Sequence, residues 1–447
     1  MIDRKLFKVT TSIGTISLFS ITIPLLIQQI INNLLSTVNT IVLSGYSEDA
    51  VSAVGTAATL ISVFEGFLMM GARIIISHYI GADDMKRVKE TSFVTIILCS
   101  AVAVIISMIT LPFRYQIMSF MNLEGKILED AVSYFEIIMT FFILAAINYA
   151  LSNILYCYGY VFFTFIAGLI TNIVNLLLCI FVIYSGISPI TGVSGVAVAC
   201  VISRFAGMLV YVFLIVHFKI EIRRPENIKD FLVYMGKLLR VGIPSSMSGT
   251  SYLLSQAITT SFVALIGMHA LNGRVYFSTI LSYVCLFSYN IGNANALLVG
   301  RLYGAGRMEQ ADKANRQLVL ITILVNLSLS VTVFLLRIPL VSMFTDNQEI
   351  LRLSFGIMLI DILVELARAV SHVYEYALEA VGDVMFKVIA IMISCWCLNI
   401  GLGYILGIRF GMGLIGVWIG LAVDESIRGI VTYFRWKYLR KRKFMLK

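Results

Sequence analysis

Long apolar segments recur along the whole chain, separated by short stretches that contain Gly, Pro, Asn and charged residues. A helix needs about 20 apolar residues to cross the hydrocarbon layer of a membrane. The apolar runs are continuous, whereas strands of a membrane β-barrel alternate apolar and polar residues over about ten positions. The pattern therefore predicts an all-α integral membrane protein with twelve transmembrane helices. We place these helices near residues 15–43, 51–80, 91–111, 131–157, 161–185, 192–218, 236–267, 271–302, 314–337, 351–380, 383–407 and 413–436.

Composition supports this interpretation. Hydrophobic residues make up 59% of the 447 positions and charged residues only 13%, whereas soluble domains have roughly 25% charged residues. The first apolar segment follows Arg4, Lys5 and Lys8 and lacks a small-residue cleavage site, so we expect a retained helix and not a signal peptide. All seven cysteines lie in apolar segments, so neither a disulfide framework nor a metal site is indicated.

Lysine and arginine collect in alternate loops. They cluster at the N-terminus, at 86–89, in the 219–240 segment, at 301–316 and in the 435–447 tail. Cytoplasmic loops carry such an excess of positive charge, so we predict a multi-pass protein of the inner or plasma membrane with both termini in the cytoplasm. We interpret the net charge of +9 as an orientation signal that contacts anionic lipid, and not as a nucleic-acid site.

The two halves of the sequence repeat each other. The segment 76–82 is similar to 299–305, which lies 223 positions later, and Gly159 matches Gly382 at the same offset. Six spans per half give both halves the same orientation, as in parallel repeats of transporters. We predict an N-terminal six-helix bundle, a cytoplasmic linker and a C-terminal six-helix bundle with a basic tail, with a ligand site near mid-membrane between the bundles. The predicted boundaries are 1–218, 219–235 and 236–447.

The tenth predicted helix carries six ionisable residues on one face. A charge at the centre of a membrane helix costs about 2.5–3.5 kcal/mol on insertion scales, so this stripe needs an explanation. We expect it to line a water-filled cavity; alternatively, Glu365 pairs with Arg368 and locks the helix, while Glu375 and Glu379 are solvated at the cytoplasmic end. The six residues, spaced by three and four positions, are Asp361, Glu365, Arg368, His372, Glu375 and Glu379.

Weaker polar stripes occur in other predicted helices. Such residues line a cavity or join helices by hydrogen bonds, and the sequence leaves both alternatives open. The same holds for the isolated charges Glu65 and Arg204, which form an ion pair or contact a ligand. Asp424 and Arg428 are predicted to pair, and Asn172 and Asn175 to have a structural role. The stripes are Gln28, Asn32, Ser36 and Asn39; Ser248, Ser251, Ser255 and Thr259; and Tyr276, Thr279, Tyr283 and Asn290.

No phosphate-binding loop, zinc-protease motif or nucleophile elbow occurs in the sequence, so we expect a protein that is not an enzyme. Energy for transport would come from an ion gradient, from the substrate itself or from a partner.

Several short segments together resemble the multidrug and toxic compound extrusion (MATE) family of the larger flippase superfamily. They include Ile23-Pro24, Ala53-Val54-Gly55, 78–82, Gly242-Ile243-Pro244 and 302–306. The resemblance implies a V-shaped pair of six-helix bundles that exports amphipathic, often cationic compounds in exchange for H⁺ or Na⁺ by alternating access.

The acidic residues that usually couple ions in this family are missing from the matching positions of this chain. Family members usually have an Asp where this chain has Asn39, and some have carboxylates at the positions of Tyr252 and Arg368. We therefore assign ion coupling to Glu365, Asp361 and Glu375.

We expect a monomeric exporter of small cationic or amphiphilic compounds, with no cofactor besides the coupling H⁺ or Na⁺. A flippase for lipid-linked or polysaccharide precursors is the alternative, disfavoured because anionic cargo would need a basic cavity. A membrane sensor that does not transport is the third interpretation, and a repeat with polar spans is hard to explain that way. The candidate substrate contacts are Arg368, Glu65, Asn39, Gln28, Asn32, Tyr276, Tyr283, Asn290 and Arg204.

Overall fold

A computed structural model of the chain describes residues 5–11, 14–44, 46–68, 71–121, 123–184 and 192–441. These residues form helices almost throughout, with one short β-hairpin near the N-terminus. The elements of the first half are β1 Lys8–Thr11, β2 Gly14–Ser17, α1 Leu18–Ser44, α2 Glu48–Gly66, α3 Ala72–Gly81, α4 Met85–Thr110, α5 Arg114–Ser119, α6 Gly125–Thr140, α7 Phe142–Tyr158, α8 Val161–Tyr184 and α9 Gly192–His217. Those of the second half are α10 Ile228–Ala264, α11 Met268–Gly304, α12 Met308–Leu335, α13 Arg337–Ser342, α14 Gln348–Ala380, α15 Val384–Ile393, the π-helical segments π1 Ser394–Leu402 and π2 Ile405–Arg409, and α16 Gly413–Lys441.

The prediction of an all-α membrane fold is confirmed. Within the described residues, seven helices are long and apolar enough to cross a membrane, and the pair α6 and α7, bent by 52°, makes an eighth. The remaining predicted spans correspond to α2 with α3, α10, α14 and α16. These contain the small, polar and charged residues that lower their mean hydropathy.

The first membrane helix begins at Leu18, three residues after the predicted start. Before it, β1 and β2 pair antiparallel, and Val9 lies opposite Ile16. Both side chains are buried, together with Phe7. The β-branched residues on alternate positions favour strands here, and Gly14 adopts the positive φ of +122° that few other residues tolerate.

Glycines at corresponding positions of the two halves have matching backbone conformations. Gly159 ends α7 with φ +93° and Gly382 follows α14 with φ +86°. Gly192 and Gly413, which begin α9 and α16, have φ of +67° and +58°. Because left-handed backbone favours glycine, each half turns at equivalent positions.

The described residues divide into two compact units. One comprises the described parts of 23–80 and 84–246; the other comprises those of 1–22, 81–83 and 247–447. We call them the first and the second unit. In the second unit, an apolar core joins α10, α11, α14 and α16, and Phe262, Phe277, Ile357 and Trp418 are its large buried side chains.

Candidate cation-coupling site

The charged stripe of the tenth predicted helix lies on α14, and its central residues are buried. Glu365 has no exposed surface, and Asp361, Glu375 and Arg368 are 2%, 4% and 8% exposed. The expectation that these four line a water-filled cavity is therefore wrong for the described structure. The physical reason is that α11, α12 and α16 pack around α14 within the second unit, and their polar groups bind the stripe.

Glu365 lies in a network of hydrogen bonds. Arg368 Nη1 is 2.6 Å from Glu365 Oε1, so the predicted ion pair forms one helical turn apart. Asn326 of α12 donates to Glu365 Oε2 at 3.1 Å and to the Glu365 carbonyl at 3.0 Å. The same amide also lies 2.9 Å from the Ser288 hydroxyl of α11. Three helices thus position one carboxylate.

Glu425 of α16 connects the two arginines of this region. Arg368 Nε lies 3.2 Å from Glu425 Oε1, and Arg428 forms an ion pair with the same oxygen. Ser371 donates to Glu425 Oε2 at 3.0 Å. Arg428 Nε also lies 3.1 Å from Glu375 Oε1. The predicted pairing of Asp424 with Arg428 is wrong, because Glu425 and Glu375 occupy this guanidinium.

These contacts define a linear series of alternating charges, which we call the ionic chain: Glu365, Arg368, Glu425, Arg428 and Glu375. Its three carboxylates and two guanidinium groups leave one negative charge in excess. Buried ion pairs need such mutual satisfaction, because each charge loses its hydration on burial. One more positive charge would make the chain neutral.

Two further carboxylates lie buried beside the ionic chain. Trp418 Nε1 donates to Asp361 Oδ1 at 3.3 Å, whereas Asp361 Oδ2 has no hydrogen-bond partner among the described residues. Asp424 has no exposed surface, and its Oδ1 likewise has no hydrogen-bond partner there. The second unit therefore has more buried negative than positive charge in this region.

Glu379, at the C-terminal end of the charged stripe of α14, is paired. The alternative interpretation, in which this end of the stripe is solvated, is therefore not what the structure has. Glu379 Oε2 lies 2.5 Å from Lys387 Nζ of α15. The Lys387 ammonium also lies 4.7 Å from the centre of the Tyr376 ring. His372 packs edge-on against Tyr289 and Tyr376. These contacts join α14 to α11 and α15.

In the first unit, the isolated charges Glu65 and Arg204 form an ion pair, one of the two outcomes left open. Arg204 Nη2 lies 2.7 Å from Glu65 Oε1. The Arg204 side chain is 22% exposed and the Glu65 side chain 39%. The pair joins α2 to α9. Its partial exposure leaves surface for a further contact.

The polar stripe of α1 bonds to two neighbouring helices. Tyr156 of α7 donates to Gln28 Oε1 at 2.9 Å. From α8, Asn172 donates to Asn32 at 2.8 Å, and Asn175 accepts from Asn39 at 3.1 Å. The predicted structural role of the two α8 asparagines is thus visible in the contacts. The Ser36 side chain lies outside the described part of the structure.

The stripes of α10 and α11 differ from each other. The four α10 residues Ser248, Ser251, Ser255 and Thr259 are all buried, and Ser251 accepts a hydrogen bond of 3.0 Å from Trp396. On α11, Tyr276 stacks on Phe344 with ring centres 5.4 Å apart, and Asn290 is buried. Tyr283 is 50% exposed. Of the two tyrosines proposed to stack on a flat cation, Tyr283 is the more exposed, and Tyr276 has one ring face against Phe344.

Glu425 is a functional residue of this site that the sequence pattern did not place there. A signal was present: the spacing Glu365-x-x-Arg368 recurs as Glu425-x-x-Arg428, and pairs three residues apart share one helix face. Nothing in the spacing indicated that the two pairs interlock. Asn326, a neutral residue in an apolar span, gave no comparable signal.

A helical membrane fold with buried, hydrogen-bonded carboxylates is typical of an ion-coupled transporter. The MatE family profile matches residues 24–181 and again 244–405, so the chain belongs to the MatE family of membrane transporters, which are not enzymes.

Individual relatives agree with this family. The chain is 29% identical to the uncharacterized transporter YisQ of Bacillus subtilis over 95% of this chain and 94% of YisQ. It is 27% identical to the probable multidrug resistance protein NorM of Thermotoga maritima over 92% of this chain and 89% of NorM.

Solved structures share the fold. A MATE structure in the bent conformation superimposes with a TM-score of 0.87, covering 96% of each chain at 20% identity. A MOP superfamily transporter from Pyrococcus furiosus, whose binding pocket is described as having reverse polarity, superimposes with a TM-score of 0.85 at 20% identity, covering 95% of this chain and 96% of that one. The twelve-helix architecture is therefore shared at low sequence identity.

Proposed function

We propose that the protein is a secondary active exporter that moves organic cations or other amphiphilic compounds out of the cell in exchange for H⁺ or Na⁺ by alternating access. It acts as a monomer in the cell membrane, with both termini in the cytoplasm, and binds neither nucleic acid nor a resident cofactor. The observation that carries the proposal is the excess negative charge of the ionic chain. A buried, uncompensated charge is costly in a membrane protein, so a mobile cation is the natural partner.

Glu365, Asp361 and Glu375 are the coupling residues in this proposal. Glu365 and Glu375 form the two ends of the ionic chain, and Asp361 lies one helical turn from Glu365 on α14. A proton or Na⁺ at this site removes the excess charge. Arg368 pairs with Glu365 and Glu425 and so balances part of their negative charge.

The burial of these acids changes how coupling would work. Glu365 has no exposed surface in the described conformation, so a drug-sized substrate does not contact it there. We propose that the cation acts through the packing of α14 against α12 and α16, which Asn326 and Glu425 connect to the site. Direct competition of substrate and cation for one carboxylate is the less supported alternative.

The proposed substrate class rests on charge and on relatives. The excess of buried carboxylates favours cationic over anionic cargo, and the relative from Thermotoga maritima is described as a multidrug resistance protein. The exposed Tyr283 ring supplies a surface on which a flat cation can stack. An anionic lipid-linked precursor, as moved by a flippase, would instead be repelled by the excess negative charge of the ionic chain.

The test is transport by the purified protein in liposomes with imposed pH or Na⁺ gradients and ethidium as a flat cationic probe. Glu365→Gln should abolish gradient-driven export while the protein stays folded and inserted. Glu309→Gln, which changes an exposed glutamate of α12, is the matched control and should transport like the wild type. Undiminished export by Glu365→Gln would contradict the assignment of the coupling site. An anionic lipid analogue moved in place of ethidium would support the flippase alternative.

A further inference from the structure

Asp424 of α16 is a buried carboxylate that the ionic chain does not use. The residue has no exposed surface. Its Oδ1 has no hydrogen-bond partner among the described residues, and its Oδ2 lies 4.0 Å from Cys395 Sγ. A buried carboxylate with so few partners is costly unless a cation joins it.

The charged groups that face Asp424 are already engaged elsewhere. Arg428, one turn along α16, binds Glu425 and Glu375. Arg368 of α14 binds Glu365 and Glu425. No lysine or arginine in the described ranges forms an ion pair with Asp424, so its negative charge remains without a dedicated counter-ion.

The groups that face Asp424 from the neighbouring segment are neutral. Ser394 and Cys395 of π1 lie against it, and Ser255 of α10 lies beside Cys395. Asn399, one helical turn further along π1, is 2% exposed, and its backbone carbonyl oxygen faces Gly420, which lies one helical turn before Asp424 on α16. Hydroxyl, carbonyl and carboxylate oxygens are the ligands that hard cations prefer.

The backbone one helical turn before Asp424 is closely packed. A Cβ added at Gly420 would lie 2.8 Å from Gly403 Cα and 3.2 Å from the Asn399 carbonyl oxygen, so α16 and π1 are in backbone contact. π-Helical segments are rare and frequently lie at functional sites. This close contact leaves no room for an organic molecule between α16 and π1 at Gly420, so only a proton or a single small cation is a plausible ligand on this side of Asp424.

We propose that Asp424 is a second site for the coupling cation, a proton or Na⁺, distinct from the site at Glu365 and Asp361. The inference rests on the proposed function and adds to it the number of coupling cations exchanged for each substrate molecule. If one cation binds at each site and both exchange for one monovalent organic cation, each cycle moves one net positive charge inward. Transport must then respond to the membrane potential, whereas a one-for-one exchange would not.

The experiment uses the full-length protein in liposomes, with ethidium as the exported cation and a potassium diffusion potential as the applied voltage. For one net charge per cycle, the steady-state ethidium ratio should change about tenfold for each 60 mV applied. Asp424→Asn should lose this voltage response while keeping export driven by a pH or Na⁺ gradient. Asp424→Glu, which keeps the charge, should keep the voltage response.

Asp383→Asn is the matched control, because Asp383 binds Arg435 at the end of α16 away from this site, and it should behave like the wild type. Separate runs with only a pH gradient and with only a Na⁺ gradient identify the cation. A wild-type protein that ignores voltage overturns the second site, even if Asp424→Asn does not insert. An Asp424→Asn protein with full voltage response overturns it as well. Absence of gradient-driven export by the wild type would instead overturn the proposed function itself, and the second site with it.

Discussion

Glu425 and Arg368 form an ion pair of 3.2 Å between α16 and α14, while Glu425 simultaneously binds Arg428 of its own helix. One carboxylate thus neutralises parts of two buried guanidinium groups. Glu425 is the central residue of the ionic chain.

Replacement of Glu425 should therefore destabilise the protein strongly. Glu425→Gln leaves two buried arginines with one carboxylate fewer, and breaking such a buried pair costs about 3–5 kcal/mol. We expect a lower unfolding midpoint in detergent and a lower yield of inserted protein. The double variant Glu425→Gln with Arg428→Met should lose more stability than the single variant, because Glu375 then also loses its ion-pair partner. Equal stability of the single variant and the wild type would show that the pairs do not support the fold.

Arg368→Ala should be more harmful than Glu365→Gln. The alanine leaves both Glu365 and Glu425 without one of their partners, at a cost of about 3–5 kcal/mol. The glutamine keeps hydrogen-bonding capacity towards Asn326, so its cost is closer to about 1–3 kcal/mol. Thermal unfolding followed by size-exclusion chromatography measures both. Equal, near-zero effects would contradict the ion pair.

Gly420 should not tolerate even one extra carbon atom. Its added Cβ would lie 2.8 Å from the backbone N and Cα of Gly403, and backbone cannot move aside as a flexible side chain can. Overpacking of this kind costs about 1–3 kcal/mol, so Gly420→Ala should lower the unfolding midpoint. Gly236→Ala is the control, because no atom lies within 4 Å of the Cβ added there. Alanine also favours helix over glycine, so this control should be neutral or slightly stabilising.

The segment that follows α9 should be less protected from hydrogen exchange at acidic pH. A hydrogen bond from the Lys89 ammonium, 2.5 Å away, lowers the pKa of the Glu221 carboxyl. A lowered pKa means that the pair stabilises the folded state above the ordinary glutamate pKa of about 4.3 and ceases to do so as the pH falls through the lower folded value. The Arg223 amide, which donates to the Lys89 carbonyl at 3.3 Å, reports on this segment.

Hydrogen exchange at the Arg223 amide, corrected for the intrinsic pH dependence, provides the measurement. Glu221→Gln should speed hydrogen exchange of the Arg223 amide at pH 7. It should have little effect on that rate at pH 3, where the wild-type carboxyl is already protonated. Lys89→Gln should behave in the same way. A variant effect that is as large at pH 3 as at pH 7 would exclude the ion pair as the cause.

Much of the fold was predictable because its signals are local. Span length, the absence of polar alternation and loop charge depend on neighbouring residues only. The glycines at 159 and 382 repeat at a constant offset and adopt the same left-handed conformation, so the halves could be aligned by eye. The hairpin before Leu18 and the π-helical segments after Ile393 were not predicted, because both depend on the neighbours against which they pack.

The candidate site shows where the local signals end. Periodicity placed Asp361, Glu365, Arg368 and Glu375 on one face of α14, and this remains correct. It could not show whether water or another helix covers that face. Only the packing of α16 and α12 on α14 brings Glu425 and Asn326 to the acids and makes the face dry.

By itself, the sequence determined the class of protein, the helical architecture, the repeat and the residues that carry charge into the membrane. Hydrophobicity and helical spacing are properties of a single segment, so they need no tertiary structure. The tertiary structure alone decided which charges neutralise each other and which, like Asp424, have no ion-pair partner among the described residues. The reason is physical: the energy of a buried charge depends on groups within a few ångströms, and here most of these come from helices distant in the chain.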